Sequence, residues 1–173
     1  RQHSMAKNTA KTSVSGLKLG SLVKDSITGF TGIAIARIEF AYGCVHIRIQ
    51  ARSMTEEGDP VPVHDFDDQR IEVLAPPSKK WPEPKKSKIK LGDIVRDTLT
   101  GAVGIATSRT VGIDGSTKLI VEQPGLTKTG EPRPAFYAII ERLETVDKQK
   151  LTVSETSVAT RGGPMCRQVC DLE

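Results

Sequence analysis

The chain reads as all-β, organised as two tandem small barrels, on three observations. Residues 17–74 and 89–146 are one module written twice at a constant offset of 72, and a repeat this regular sets the domain count. Within each copy Val, Ile, Leu, Phe and Tyr fall in short runs bounded by glycine, alternating with polar residues where they are clearest, the pattern of half-buried strands. Neither copy sustains a 3.6-residue apolar period.

The elements follow in order. Residues 1–16 form a polar N-terminal arm with Arg1, Lys7 and Lys11. It lacks the apolar stretch of a secretion signal. Met5-Ala6-Lys7 reads as a translation start, which leaves Arg1 to Ser4 as an appended remnant. In the first module, Ser21–Ile27, Gly32–Phe40 and Cys44–Ala51 are expected as strands. Asp25-Ser26-Ile27-Thr28-Gly29 and Phe40-Ala41-Tyr42-Gly43 are the hairpin connections, with glycine accepting a positive φ. A polar loop, Thr55 to Pro60, precedes a closing strand, Arg70 to Leu74.

The second module repeats each feature. Asp97-Thr98-Leu99-Thr100-Gly101 and Gly112-Ile113-Asp114-Gly115 are its hairpins, Lys118 to Glu122 a strand, Thr127 to Pro132 the loop, and Arg142 to Val146 the closing strand. Four or five short strands in about 58 residues suggest a sheet that curls to hide its edges. A unit of that size buries only about 60% of its unfolded surface and is marginal alone. Each module is therefore expected to lean on its twin, a partner or an assembly.

Residues 75–88 separate the modules and hold four prolines and five lysines. The prolines favour extended geometry, so the segment reads as a semi-rigid spacer. Residues 147–173 form a polar, extended C-terminal tail that a neighbour would have to order.

Charge is unevenly placed. The arm carries +3 and the spacer +4, whereas the first module is −3 and the second neutral. The modules themselves are thus not the electrostatic footprint of a nucleic-acid binder. No run of about 18 apolar residues is present to span a membrane. Three cysteines, Cys44, Cys166 and Cys170, are too few and scattered for a secreted disulfide scaffold.

Several clusters invite chemistry, each with a plainer alternative. Asp65, Asp67 and Asp68 crowd as metal-binding carboxylates would, but they lack calcium-loop spacing and the second copy replaces them with Tyr137, Ile139 and Ile140; a solvated loop is expected. Cys44 and His46 would share one strand face as metal ligands do, yet their counterparts are Ser116 and Lys118, which favours a structural or surface role. Cys166 and Cys170, four apart in the tail, suit a zinc half-site, an intrachain bridge or an intermolecular disulfide in a particle. Free thiols are the ordinary alternative, and the intermolecular bridge is the functional reading.

Lys79, Lys80, Trp81, Lys85, Lys86 and Lys88 interleave basic residues with an aromatic, as single-strand nucleic-acid binders do. A charged linker with one packing tryptophan reads the same way, and these six are the candidate partner-binding residues. Arg37/Arg109 and Arg70/Arg142 recur beside Asp25/Asp97 and Glu72/Glu144; ion pairs bracing each module are expected. No phosphate-binding loop, nucleophile elbow or histidine-based catalytic set is legible, so no catalytic residue, cofactor or metal is assigned.

Gly20-Ser21-Leu22-Val23 followed by Gly29-Phe30-Thr31-Gly32-Ile33 resembles the opening of SH3-like barrels of the KOW and Tudor type. There a "G-D-x-V" start leads through a turn to "G-x-x-G"; Asp93 supplies the Asp of that pattern and Ser21 departs from it. The longer pattern over residues 18–34, continuing through Arg37, Tyr42-Gly43-Cys44, Phe66-Asp67 and Ile71-Glu72-Val73, resembles small proteins of tailed bacteriophages and prophages. The second copy has Ala102 for Phe30 and Ser116 for Cys44. The resemblance implies a phage or prophage origin, and small barrels with long polar extensions then suit a non-enzymatic virion component, made in the host cytoplasm, that decorates or cements capsid or tail subunits in a large symmetric assembly. A KOW-like regulator that binds nucleic acid through the spacer and arm is the alternative.

Overall fold

A computed structural model of the chain describes residues 17–148. Those residues are all-β, with ten antiparallel strands. The first half contributes β1 (Leu22–Asp25), β2 (Thr31–Phe40), β3 (Val45–Gln50), β4 (His64–Asp67) and β5 (Ile71–Ala75). The second contributes β6 (Ile94–Asp97), β7 (Val103–Gly112), β8 (Thr117–Glu122), β9 (Phe136–Ile139) and β10 (Leu143–Asp147). One turn of 3-10 helix, Asp68–Arg70 or Ile140–Arg142, precedes each half's last strand.

Both halves have one pairing scheme: the last strand pairs with the first, the first with the second, the second with the third and the third with the fourth. Alternation decides what each buries. Val23, Ala34, Ile47, Ile49 and Ile71 meet in the first core, closed by Leu17, Leu19, Phe30 and Phe66. Val95, Ala106, Leu119, Val121 and Leu143 take the same places in the second, with Ile89 and Ala138 added. Gly32 and Gly104 let strands approach: a Cβ there would stand 2.3 Å from the Gln50 carbonyl oxygen and 2.5 Å from that of Glu122.

The halves are joined by a strand ladder. β2 and β7 are ten residues long, but β1 covers only Thr31 to Ile33 of β2. The register of β2 on β3 then slips, from Ala34 opposite Ile49 to Ala36 opposite Arg48, and a bulge of this kind bends a strand and sharpens its twist. The far half of β2 is left with an open edge, and β7 fills it. Ala36 pairs with Gly112, Ile38 with Thr110 and Phe40 with Ser108. Each pair maps onto another under the 72-residue offset, so the contact has an approximate twofold axis through Ile38 and Thr110. The Ala41 N–H donates to the Thr107 carbonyl at 2.8 Å, and the Ile113 N–H donates to the Ile35 carbonyl at 2.8 Å. Each bulge thus accepts a bond from the other half's hairpin.

Two expectations change. The segment 75–88 does not hold the halves apart as a spacer; it lies along both, because the halves already share a sheet. The acidic run is not a solvated loop: Asp65 and Asp67 lie in β4, paired with Arg48 and His46 of β3, and Asp68 begins the 3-10 turn.

Candidate interaction surfaces

In each half a buried carboxylate ties the first hairpin to the closing strand. Asp25 is fully buried. Its carboxylate accepts from Arg70 Nε and Nη2 at 2.8 Å each and from the Thr28 N–H and hydroxyl at 2.7 and 2.6 Å. Burial would raise its pKa, but the Arg70 and Thr28 hydrogen bonds outweigh that and hold it below the usual carboxylate range. Asp97 repeats the arrangement with Arg142 and Thr100, and the hydrogen bonds from those two residues bring its pKa down to about 2. The in-module ion pairs expected for Arg70 and Arg142 are present. Arg37 and Arg109 instead converge on Glu39, at 3.1 and 3.5 Å, so this pair links the two halves. A guanidinium N–H of Arg109 also donates to the Ile89 carbonyl.

The outward faces differ between halves. Phe30, His64 and Phe66 form an aromatic group in the first, with Phe30 edge-on to His64 at 4.9 Å and tilted to Phe66 at 5.6 Å. The Arg70 guanidinium sits 5.5 Å from the Phe66 ring centre. With Thr28 and Gly29 these rings line a shallow cleft of about 380 Å³. Ala102, Phe136 and Ala138 occupy the same positions in the second half, so the ring cluster is not repeated. His64 was not among the sequence candidates; its neighbourhood to Phe30 depends on β4, which the sequence reading took for loop.

The outermost strands differ too. β4 shows solvent an Arg48–Asp65 pair at 2.7 Å. β9 shows Tyr137 and Ile139, both exposed. An uncapped apolar edge of this kind is a template for another strand.

The spacer's candidate residues divide. Trp81 covers Gly20 so closely that a Cβ on Gly20 would lie 2.3 Å from the indole Nε1, and Lys79 Nζ stacks 3.9 Å from the ring centre. Pro82 and Glu83 cover Gly115, and Lys85 pairs with Glu141. Lys80, Lys86 and Lys88 stay exposed. His46 is buried against Phe40, ring centres 5.1 Å apart, and Cys44 is disulfide-bonded. Cys166 and Cys170 lie outside the described residues. Among the described residues no three His, Cys, Asp or Glu side chains are grouped to hold a metal. No family model, curated protein or solved structure matches the chain.

Proposed function

We propose that this protein is a non-enzymatic structural component of a tailed-bacteriophage particle, cementing capsid or tail subunits, and that each half is a small SH3-like barrel. The observation that supports this most is the β2–β7 ladder. It makes one block of two similar halves that present unlike surfaces, an aromatic cleft on the first half and an exposed apolar strand on the second. Such a block suits bridging two different surfaces at a fixed spacing, since a rigid connection avoids the ordering cost that a flexible tether pays on binding. The arm and tail would add contact surface per residue once neighbouring subunits order them.

The nucleic-acid reading loses support from the spacer. Lys79 stacks on Trp81 and Lys85 pairs with Glu141, so of the six basic and aromatic candidates only Lys80, Lys86 and Lys88 remain both exposed and unengaged in these contacts. Mass spectrometry of purified particles tests the proposal. The protein is expected at a fixed copy number relative to capsid or tail subunits. Its absence from intact particles, or tight salt-sensitive binding to single-stranded DNA or RNA by the soluble protein, would overturn the reading.

A further inference from the structure

We propose that copies of this chain associate head to tail, with Leu126 on the second half of one copy seated in the aromatic cleft on the first half of the next. The proposal does not depend on the virion reading; it rests on where the chain's own unlike surfaces lie.

The ladder places those surfaces at opposite ends of the molecule. β2 and β7 run antiparallel and pair only over Ala36–Phe40 and Ser108–Gly112, so the starts of the two strands leave the ladder in opposite directions. The cleft lies where β2 starts, because Phe30 precedes Thr31, Ile33 pairs with Gln50 and Ile49 pairs with His64. Residues 51–63, which connect β3 to β4, project from that end too. Residues 123–135, which connect β8 to β9, project from the other end by the same register, with Ile105 opposite Glu122 and Val121 opposite Phe136. One molecule cannot bring its two ends together, so a contact between them joins neighbouring copies.

The ends are complementary in shape and in charge. At the first, Ile27 and Val63 are exposed beside the cleft, and residues 51–63 carry Glu56, Glu57 and Asp59 against Arg52, a net −2. At the second, Ala102 and Ala138 stand for Phe30 and Phe66, so the cleft is missing, and residues 123–135 carry Lys128 and Arg133 against Glu131, a net +1. Leu126 is exposed there. It bridges to Pro132 on a formed hairpin, in which the Thr127 N–H donates to the Glu131 carbonyl at 2.8 Å. A side chain presented on such a loop loses little freedom when it docks. Met54, the first half's counterpart of Leu126, is exposed as well, but first end against first end would oppose like acidic charges. Second end against second end offers no cleft. Only the unlike pairing buries Leu126 among rings and brings opposite charges together. β9 follows the hairpin directly, and its exposed Tyr137 and Ile139 continue the apolar surface. Because the two surfaces differ, the contact is heterologous and repeats into a ring or a filament.

The test is sedimentation velocity of the full chain from micromolar to millimolar concentration, with the variants Leu126→Glu and His64→Glu, both at exposed positions. The parent is expected to form concentration-dependent oligomers that weaken as salt rises. Each variant alone is expected to raise the dissociation constant about tenfold or more. Mixed in equal amounts, the two should form a dimer and nothing larger, since Leu126→Glu keeps the cleft and His64→Glu keeps the leucine. A parent that stays monomeric overturns the proposal and leaves the cleft to a different partner. So does a mixture no more associated than either variant alone, or a parent oligomer that neither substitution weakens. Where a lowered melting temperature shows that a variant has not folded, charge reversal carries the same test. Lys128→Glu with Arg133→Glu, and separately Glu56→Lys with Glu57→Lys, should each weaken association, and mixing the two proteins should restore it; no restoration would overturn the proposal.

Discussion

At the residue scale the fold turns on two buried carboxylates, Asp25 and Asp97. Each is the point where the first hairpin, the 3-10 turn and the closing strand meet through one arginine. Removing one partner leaves the other charge without its bidentate bonds, which costs about 3–5 kcal/mol for a fully buried pair. The Arg70 side chain is 34% exposed, so solvent takes up part of the loss. Asp25→Ala is therefore expected to lower unfolding free energy by about 2 kcal/mol in urea titrations at pH 7. Asp97 also sets a pH dependence. Its pKa is depressed from the ordinary 3.8 to about 2, so its contribution is complete above about pH 4 and lost as pH falls towards 2. Stability measured between pH 5 and 2 should fall less steeply in Asp97→Asn than in the parent. Gly20 is the other critical residue, because its φ of 92° and the overlying indole both exclude a Cβ. Gly20→Ala should lower the melting temperature and expose Trp81, read as a red shift in its fluorescence, at a cost of about 1–3 kcal/mol.

At the scale of elements, length and edge chemistry decide the pairing. β2 and β7 outrun β1 and β6, and their surplus edges satisfy each other. β4 protects its edge with Arg48 and Asp65, as sheets commonly do with charge; β9 does not. Tyr137→Lys with Ile139→Lys is expected to reduce self-association in sedimentation velocity while leaving the melting temperature within about 2 °C, since both side chains face solvent. Unchanged association would show that β9 does not act as an open edge.

Much of this scale was legible in the sequence. The runs around Val45, Ile47 and Ile49 and the glycine turns gave β1, β2, β3 and β5 to within a residue or two, and the recurring Asp–Arg pairs foretold the ion pairs. His64 to Asp67 was not legible as a strand, because its core-facing apolar residue, Phe66, stands between two aspartates whose partners, Arg48 and His46, lie 17 and 21 residues away in the chain. The aromatic group at Phe30 was hidden for the same reason.

At the scale of the whole molecule, the arrangement of the halves could not be read from the repeat. Two copies on a proline-rich connection suggest beads on a spacer, since strand pairing between modules leaves no local pattern beyond extra strand length. The shared sheet explains why modules too small to be robust alone suffice together, and it places the spacer as a strap over Gly20 and Gly115. The central claim is that β2 and β7 form one ladder. The most direct test is a set of cross-strand NOEs in isotopically labelled protein. The account predicts backbone contacts between Ala36–Phe40 and Ser108–Gly112, centred on Ile38 and Thr110, with one rotational correlation time for both halves. No contacts across these strands, with two different correlation times, would contradict it.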